Sequence, residues 1–203
     1  MTLGLSLAPR RVMVRAVALL PLSLLGASAI SCSDPVPVAA QGNFSFQLGT
    51  NAAGAPSRCQ LPNKVFGFGE PSTADPGKRT ADGESGVSVS CKVRKQGDAY
   101  VVEGNVKKGA DTFYVNSTDV DVTSGVGSAL VVASSGASIG YETCTQLNCP
   151  GVTDPPFCTF EVISDQIRSG AVWAKVSCPM LVAPSEQSYC TASAVFVLEN
   201  CEE

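Results

Sequence analysis

The sequence predicts an all-β protein: an antiparallel β-sandwich of about nine short strands stapled by disulfides, with a partly closed β-barrel as the alternative. Three observations lead there. Apolar residues recur at every second position, the spacing of a strand with one buried face. Gly, Pro, Asn and Asp clusters interrupt the chain at short intervals, and no amphipathic run is long enough for a helix. Eight cysteines lie among these segments, a density that suits a stapled exported fold.

The strands follow in order. NFSFQL at 43–48 puts Phe44, Phe46 and Leu48 on one face. LPNKVFGF at 61–68 reads as an edge strand, because Pro62 and the glycines limit ladder hydrogen bonds. Residues 69–85 form a long polar Pro/Gly loop. VSVSCKV at 87–93 turns Val87, Val89, Cys91 and Val93 inward. After a turn at 95–98, AYVVEGNV at 99–106 returns with Tyr100, Val102 and Val106 on one face. A second turn, KKGAD, leads into TFYVN at 112–116, which completes a three-strand meander. STDVDV at 117–122, SALVVA at 128–133 and SIGYET at 138–143 are further candidates. A Cys/Pro-rich bend at 144–158 precedes FEVIS at 160–164, and SDQI leaves room for one helical turn. GAVWAKVSC at 170–178 and TASAVFVLENC at 191–201 alternate most strongly. Sheets with one wet face must bury the other, and two sheets packed face to face do so most economically.

Ahead of this domain, residues 16–30 form an apolar run preceded by Arg10, Arg11 and Arg15 and followed by Ser31 and Cys32. A basic start, a short apolar stretch and a small-residue cleavage position are the parts of a secretory signal, and the run is too short for a good membrane span. SAISC at 28–32 resembles the lipobox of bacterial lipoproteins. That resemblance implies cleavage before Cys32, a diacylglyceryl thioether on its sulfur, and in many members an added amide-linked acyl chain (palmitate among them). With Ser33 rather than Asp after the cysteine, it also implies delivery to the bacterial outer membrane or cell surface, with the periplasm as the alternative. Either Met1 or Met13 serves as the start. The expected organisation is a signal at 1–31, a lipidated cysteine and tether at 32–42, and a single domain at 43–203.

Composition narrows the partners. The chain has 14 Lys and Arg against 18 Asp and Glu. Three of the arginines belong to the signal, so the remainder carries a formal charge of about −7. Such a balance speaks against nucleic acid and against electrostatic attraction to anionic lipid. Contact with the bilayer is therefore expected only through an acylated Cys32.

Of nine cysteines, removing Cys32 leaves an even set: Cys59, Cys91, Cys144, Cys149, Cys158, Cys178, Cys190 and Cys201. Eight cysteines allow roughly a hundred pairings. Proximity suggests Cys178 with Cys190, two of Cys144, Cys149 and Cys158 with each other, and Cys59 with Cys91. A bridge at Cys201 would pin the C-terminal strand. CTQLNC at 144–149 has a zinc-like gap, but no second pair follows and the chain contains no histidine. No CxxC occurs. No cofactor or metal is expected.

Catalytic signals are absent in the same way. Without histidine there is no ordinary base for a hydrolytic triad. Asp119 and Asp121 share a strand face and are the carboxylate pair to consider for glycoside hydrolysis, or with Asp111 for calcium. Trp173 is the candidate ligand contact: with Val172, Ala174 and Val176 inward, Ala171, Trp173 and Lys175 face out. Asn43-Phe-Ser and Asn116-Ser-Thr match glycosylation acceptors, read as chance behind a bacterial-type signal. The expected role is a non-enzymatic binding or structural one at the cell envelope, toward an envelope protein or a glycan. The alternative is a carbohydrate-binding or glycoside-hydrolysing domain.

Overall fold

A computed structural model describes residues 38–71, 78–136 and 140–203; the signal and Cys32 lie outside them. The described chain is all-β. Its strands are β1 (Gln41–Asn51), β2 (Val65–Phe68), β3 (Val87–Gln96), β4 (Ala99–Lys108), β5 (Asp111–Asp121), β6 (Val126–Ser134), β7 (Gly140–Thr143), β8 (Cys158–Arg168), β9 (Ala171–Ala183) and β10 (Ser188–Glu199). They form one antiparallel sheet in the order β2-β1-β10-β9-β7-β6-β5-β4-β3, with β8 paired to both β6 and β9.

The sheet folds over so that β2, β1, β10 and β9 face β5, β4 and β3, giving the sandwich-like core that alternation predicts. Phe44, Phe46 and Leu48 are fully buried, as are Val93, Val102, Val106, Phe113 and Phe196. Phe113 of β5 stacks on Phe44 of β1 with ring centroids 5.3 Å apart, and meets Phe196 of β10 at 5.3 Å. Neither β1 nor β10 is a hydrogen-bonded neighbour of β5, so these rings join the two halves across the core. One side is also closed by backbone. The Glu202 N–H donates to the Cys91 carbonyl, the Val93 N–H donates to the Glu202 carbonyl, and the Gly170 N–H donates to the Val93 carbonyl. This is the partial closure of the barrel alternative. On the other side β2 pairs with β1 alone, the edge position expected of it.

The details depart from expectation where turns and bulges decide. TFYVN and STDVDV are one strand, β5, carried through a register shift opposite Tyr100 and Val102. SDQI makes no helical turn. Ser164 and Asp165 have φ of 51° and 55°, and β8 bulges there between Val162 and Ile167 before rejoining β9. The β3–β4 turn is Gly97-Asp98, with Gly97 at φ 63°, the backbone sign that a tight hairpin turn asks of its first central residue.

The disulfides are Cys59–Cys190, Cys91–Cys201, Cys144–Cys149 and Cys158–Cys178. The short loop at 144–149 and the pinned Cys201 agree with the sequence reading. Cys178 with Cys190, and Cys59 with Cys91, do not. On paired β9 and β10, Cys178 lies opposite Ala192 and Cys190 opposite Leu181, so the two are staggered. Each bonds to its other side instead: Cys178 to β8, where Thr159 pairs with Ser177, and Cys190 to the loop after β1.

Candidate functional site

The carboxylates singled out by sequence are structural. Asp119 and Asp121 do face outward around buried Val120, but both are committed to the turn between β5 and β6. The Asp121 Oδ1 accepts from the Thr123 N–H at 3.0 Å, the Ser124 N–H at 2.7 Å and the Ser124 hydroxyl at 2.9 Å. The Asp119 Oδ1 accepts from the Ser128 N–H at 2.9 Å and the Ser117 hydroxyl at 3.2 Å, and its Oδ2 from the Ser128 hydroxyl. Partial burial raises the Asp119 pKa, but the Ser128 and Ser117 hydrogen bonds outweigh it and the net shift is downward. The Ser124 N–H and hydroxyl, with the Thr123 N–H, lower that of Asp121. A general acid needs the opposite shift. Asp111, the third calcium candidate, stands at the other end of β5, roughly 30 Å away at strand spacing. No cluster of three metal-ligating side chains occurs among the described residues.

A pH prediction follows from these shifts. A carboxylate whose pKa is depressed on folding stabilises the native state above its unfolded pKa, and that contribution is lost as pH falls through the folded value. Both groups start from an ordinary value of 3.8. The protection of the Ser124 and Ser128 amides, taken relative to their intrinsic exchange rate at each pH, is therefore expected to hold down to about pH 4 and to fall below it. Asp119→Asn should bring that loss of protection at Ser128 to neutral pH.

Trp173 faces outward as expected, with Val172, Ala174 and Val176 in the core. It is only half-exposed, however. Its indole Nε1 is buried with no hydrogen-bond partner among the described residues, and its cross-strand neighbour Val197 is buried on the same outer face. That face lies near the segment running back from β2. The buried Asn43 donates from Nδ2 to the Lys78 carbonyl at 2.7 Å and accepts from the Thr80 N–H at 3.2 Å. Arg79 Nε lies 3.4 Å from Glu199 Oε2. Asn43, matched by sequence to a glycosylation pattern, is thus an interior brace.

A head forms beyond the far ends of β1, β9 and β10. Its loops, 52–64 and 144–157, pack around a small core of their own, made by Ala52, Cys144, Cys149, Met180, Val182 and Tyr189. Loop 52–64 is fixed to the β9–β10 hairpin. The Gln60 N–H donates to Ser188 Oγ at 2.8 Å, Gln60 Nε2 to the Glu186 carbonyl at 3.0 Å, and the Ser57 hydroxyl to the Gln187 carbonyl. The Cys59–Cys190 bridge locks the same contact.

In the second loop Asn148 does the organising. Its Oδ1 accepts from the Thr145 N–H at 2.6 Å, and its Nδ2 donates to Glu142 Oε1 at 3.0 Å and to the Thr143 carbonyl at 3.1 Å. The Cys144–Cys149 ring around it leaves Leu147 98% exposed.

Beside the head, β6 is shared between two partners. β8 pairs with its residues 126–129 and β7 with 132–134. At the fork the Val131 N–H donates to Thr143 Oγ1 at 2.7 Å. A cleft of about 250 Å³ opens there on the outer face. Asn116, Ser117, Thr118, Ser128, Ala129, Leu130 and Phe157 line it. Phe157 is 59% exposed. Sequence reasoning missed this residue; Pro155-Pro156 before it and Cys158 after it were the signal of an aromatic held in a stiff segment. No protein-family model, curated protein or solved structure matches this chain.

Proposed function

We propose that this is an exported lipoprotein, anchored in the bacterial outer membrane or at the cell surface through an acylated Cys32, with a non-enzymatic binding role exerted by its head. One observation carries the reading: all eight cysteines of the domain pair with one another, and the ninth is the one that follows SAIS at the end of the signal-like segment. Stable disulfides belong to oxidising compartments. An odd cysteine in an exported chain needs a separate use, and lipidation supplies one.

The position of β1 bears on how such a tether would join the domain. Residues 33–40 can span at most about 30 Å, even fully extended. They enter at Gln41, whereas the head begins after Asn51, roughly 30 Å further along β1. On this reading the tether joins the domain at the start of β1, and the braced loops follow its other end.

The test is cell fractionation with intact mass measurement. Wild-type protein is expected in the membrane fraction, with the mass of residues 32–203 plus thioether-linked diacylglyceryl, less two hydrogens for each of four disulfides. Cys32→Ser should abolish the lipid mass and leave no mature membrane-held form. A wild-type mass without lipid, or membrane retention of a cleaved, mature Cys32→Ser protein, would refute the anchor.

A further inference from the structure

We infer that the cleft beside Phe157 is a subsite for one uncharged sugar ring of a glycan. This rests on the head being a binding surface and specifies what it binds. A pyranose presents an apolar C–H face and a rim of hydroxyls, and the cleft offers the complement of each. Phe157 and Leu130, both exposed, supply the apolar side. The Asn116 amide and the Thr118 hydroxyl supply the polar side. Leu130 and Asn116 are cross-strand partners on β6 and β5, so the two kinds of surface are held in fixed register.

Charge selects against other ligands. Among the described residues, no Lys, Arg, Asp or Glu lines the cleft. The nearby Asp119 is turned into hydrogen bonds with Ser117 and Ser128, which also occupies those two hydroxyls. An anionic group would find no counter-charge here. The cleft is smaller than the roughly 300–1,000 Å³ of drug-sized sites, a volume suited to one ring of a longer chain that extends along the sheet face.

The site is also prepared in advance. Phe157 stands between Pro156 and Cys158, and Cys158 is bonded to Cys178 of β9. An exposed aromatic on such a segment loses little freedom on binding. Trp173, the aromatic that sequence points to, belongs to a different face with its indole N–H buried and takes no part.

The experiment uses the mature lipoprotein in detergent micelles and three neutral tetrasaccharides, cellotetraose, maltotetraose and chitotetraose, read by saturation-transfer NMR and titration calorimetry. At least one is expected to bind. Phe157→Ala should weaken that binding about tenfold or more, from the loss of one buried aromatic contact. Phe157→Tyr should retain it, and Asn116→Ala should weaken it while leaving the melting temperature unchanged. Binding by none of the three, or binding untouched by Phe157→Ala, overturns the inference. So does a site that takes an apolar peptide but no sugar. Because membrane retention is not read in this experiment, failure of the sugar site leaves the anchoring test independent.

Discussion

Removing the Cys91–Cys201 bridge as a double alanine substitution is expected to lower stability by about 4–5 kcal/mol, the largest loss of any single disulfide along with that of Cys59–Cys190. The reason is the length of chain each one closes. Their sequence separations are 110 and 131 residues, so each removes much of the freedom of the unfolded chain. Cys144–Cys149 spans only five, and by the same loop-entropy argument its removal costs about 2 kcal/mol. Cys91–Cys201 has a further native-state role. It sits where Glu202 bonds to the edge of β3, so the side that these backbone bonds close would fray once it is gone. Urea unfolding checks the ranking: the midpoint should fall much further for Cys91→Ala/Cys201→Ala than for Cys144→Ala/Cys149→Ala. Equal losses would mean that unfolded-chain entropy does not govern these bridges.

That ranking could not have been read from the sequence, because pairing depends on which strands become neighbours. Alternation is a local property, and it placed Phe44, Phe46 and Leu48, the valines of β3, and the inward Val172, Ala174 and Val176 of β9 correctly, whereas Ala171, expected to face out, is buried. It failed where a strand stops alternating without stopping. Pro179 marks an apparent end to the strand at Cys178, yet β9 continues to Ala183. The register with β10 shifts between Cys190 and Ala192, leaving extra residues opposite Thr191 in a bulge that tolerates a residue without an N–H.

The head was less legible still. Loops 52–64 and 144–157 have no period to read; what orders the first is hydrogen bonding of Gln60 to the distant β9–β10 hairpin, and the second is held by local side-chain hydrogen bonds of Asn148. Asn43 and Asn116 illustrate the same limit. Both match one sequence pattern, yet Asn43 is buried and bonded at both ends of its amide, while Asn116 lines a surface cleft. Only the fold separates them.

Phe113→Ala is expected to cost about 3–5 kcal/mol, the range for deleting a fully buried aromatic. Phe113 is fully buried and contacts three rings on the facing half of the sheet: Phe44 at 5.3 Å, Phe46 at 6.3 Å and Phe196 at 5.3 Å. Phe196 in turn meets Phe160 of β8 at 5.7 Å, so the cavity would open in the middle of an aromatic chain that runs from β1 to β8. Phe113→Leu, which refills most of the volume, should lose much less. Phe157→Ala provides the control, since truncating an exposed phenylalanine should change stability by no more than about 0.5 kcal/mol. Equilibrium unfolding of the three variants distinguishes a shared core from two independently stable halves. In a shared core, Phe113→Ala shifts a single transition to lower denaturant. If the halves were independent, the transition would split or barely move, because the ring that joins β5 to β1 and β10 would then be dispensable.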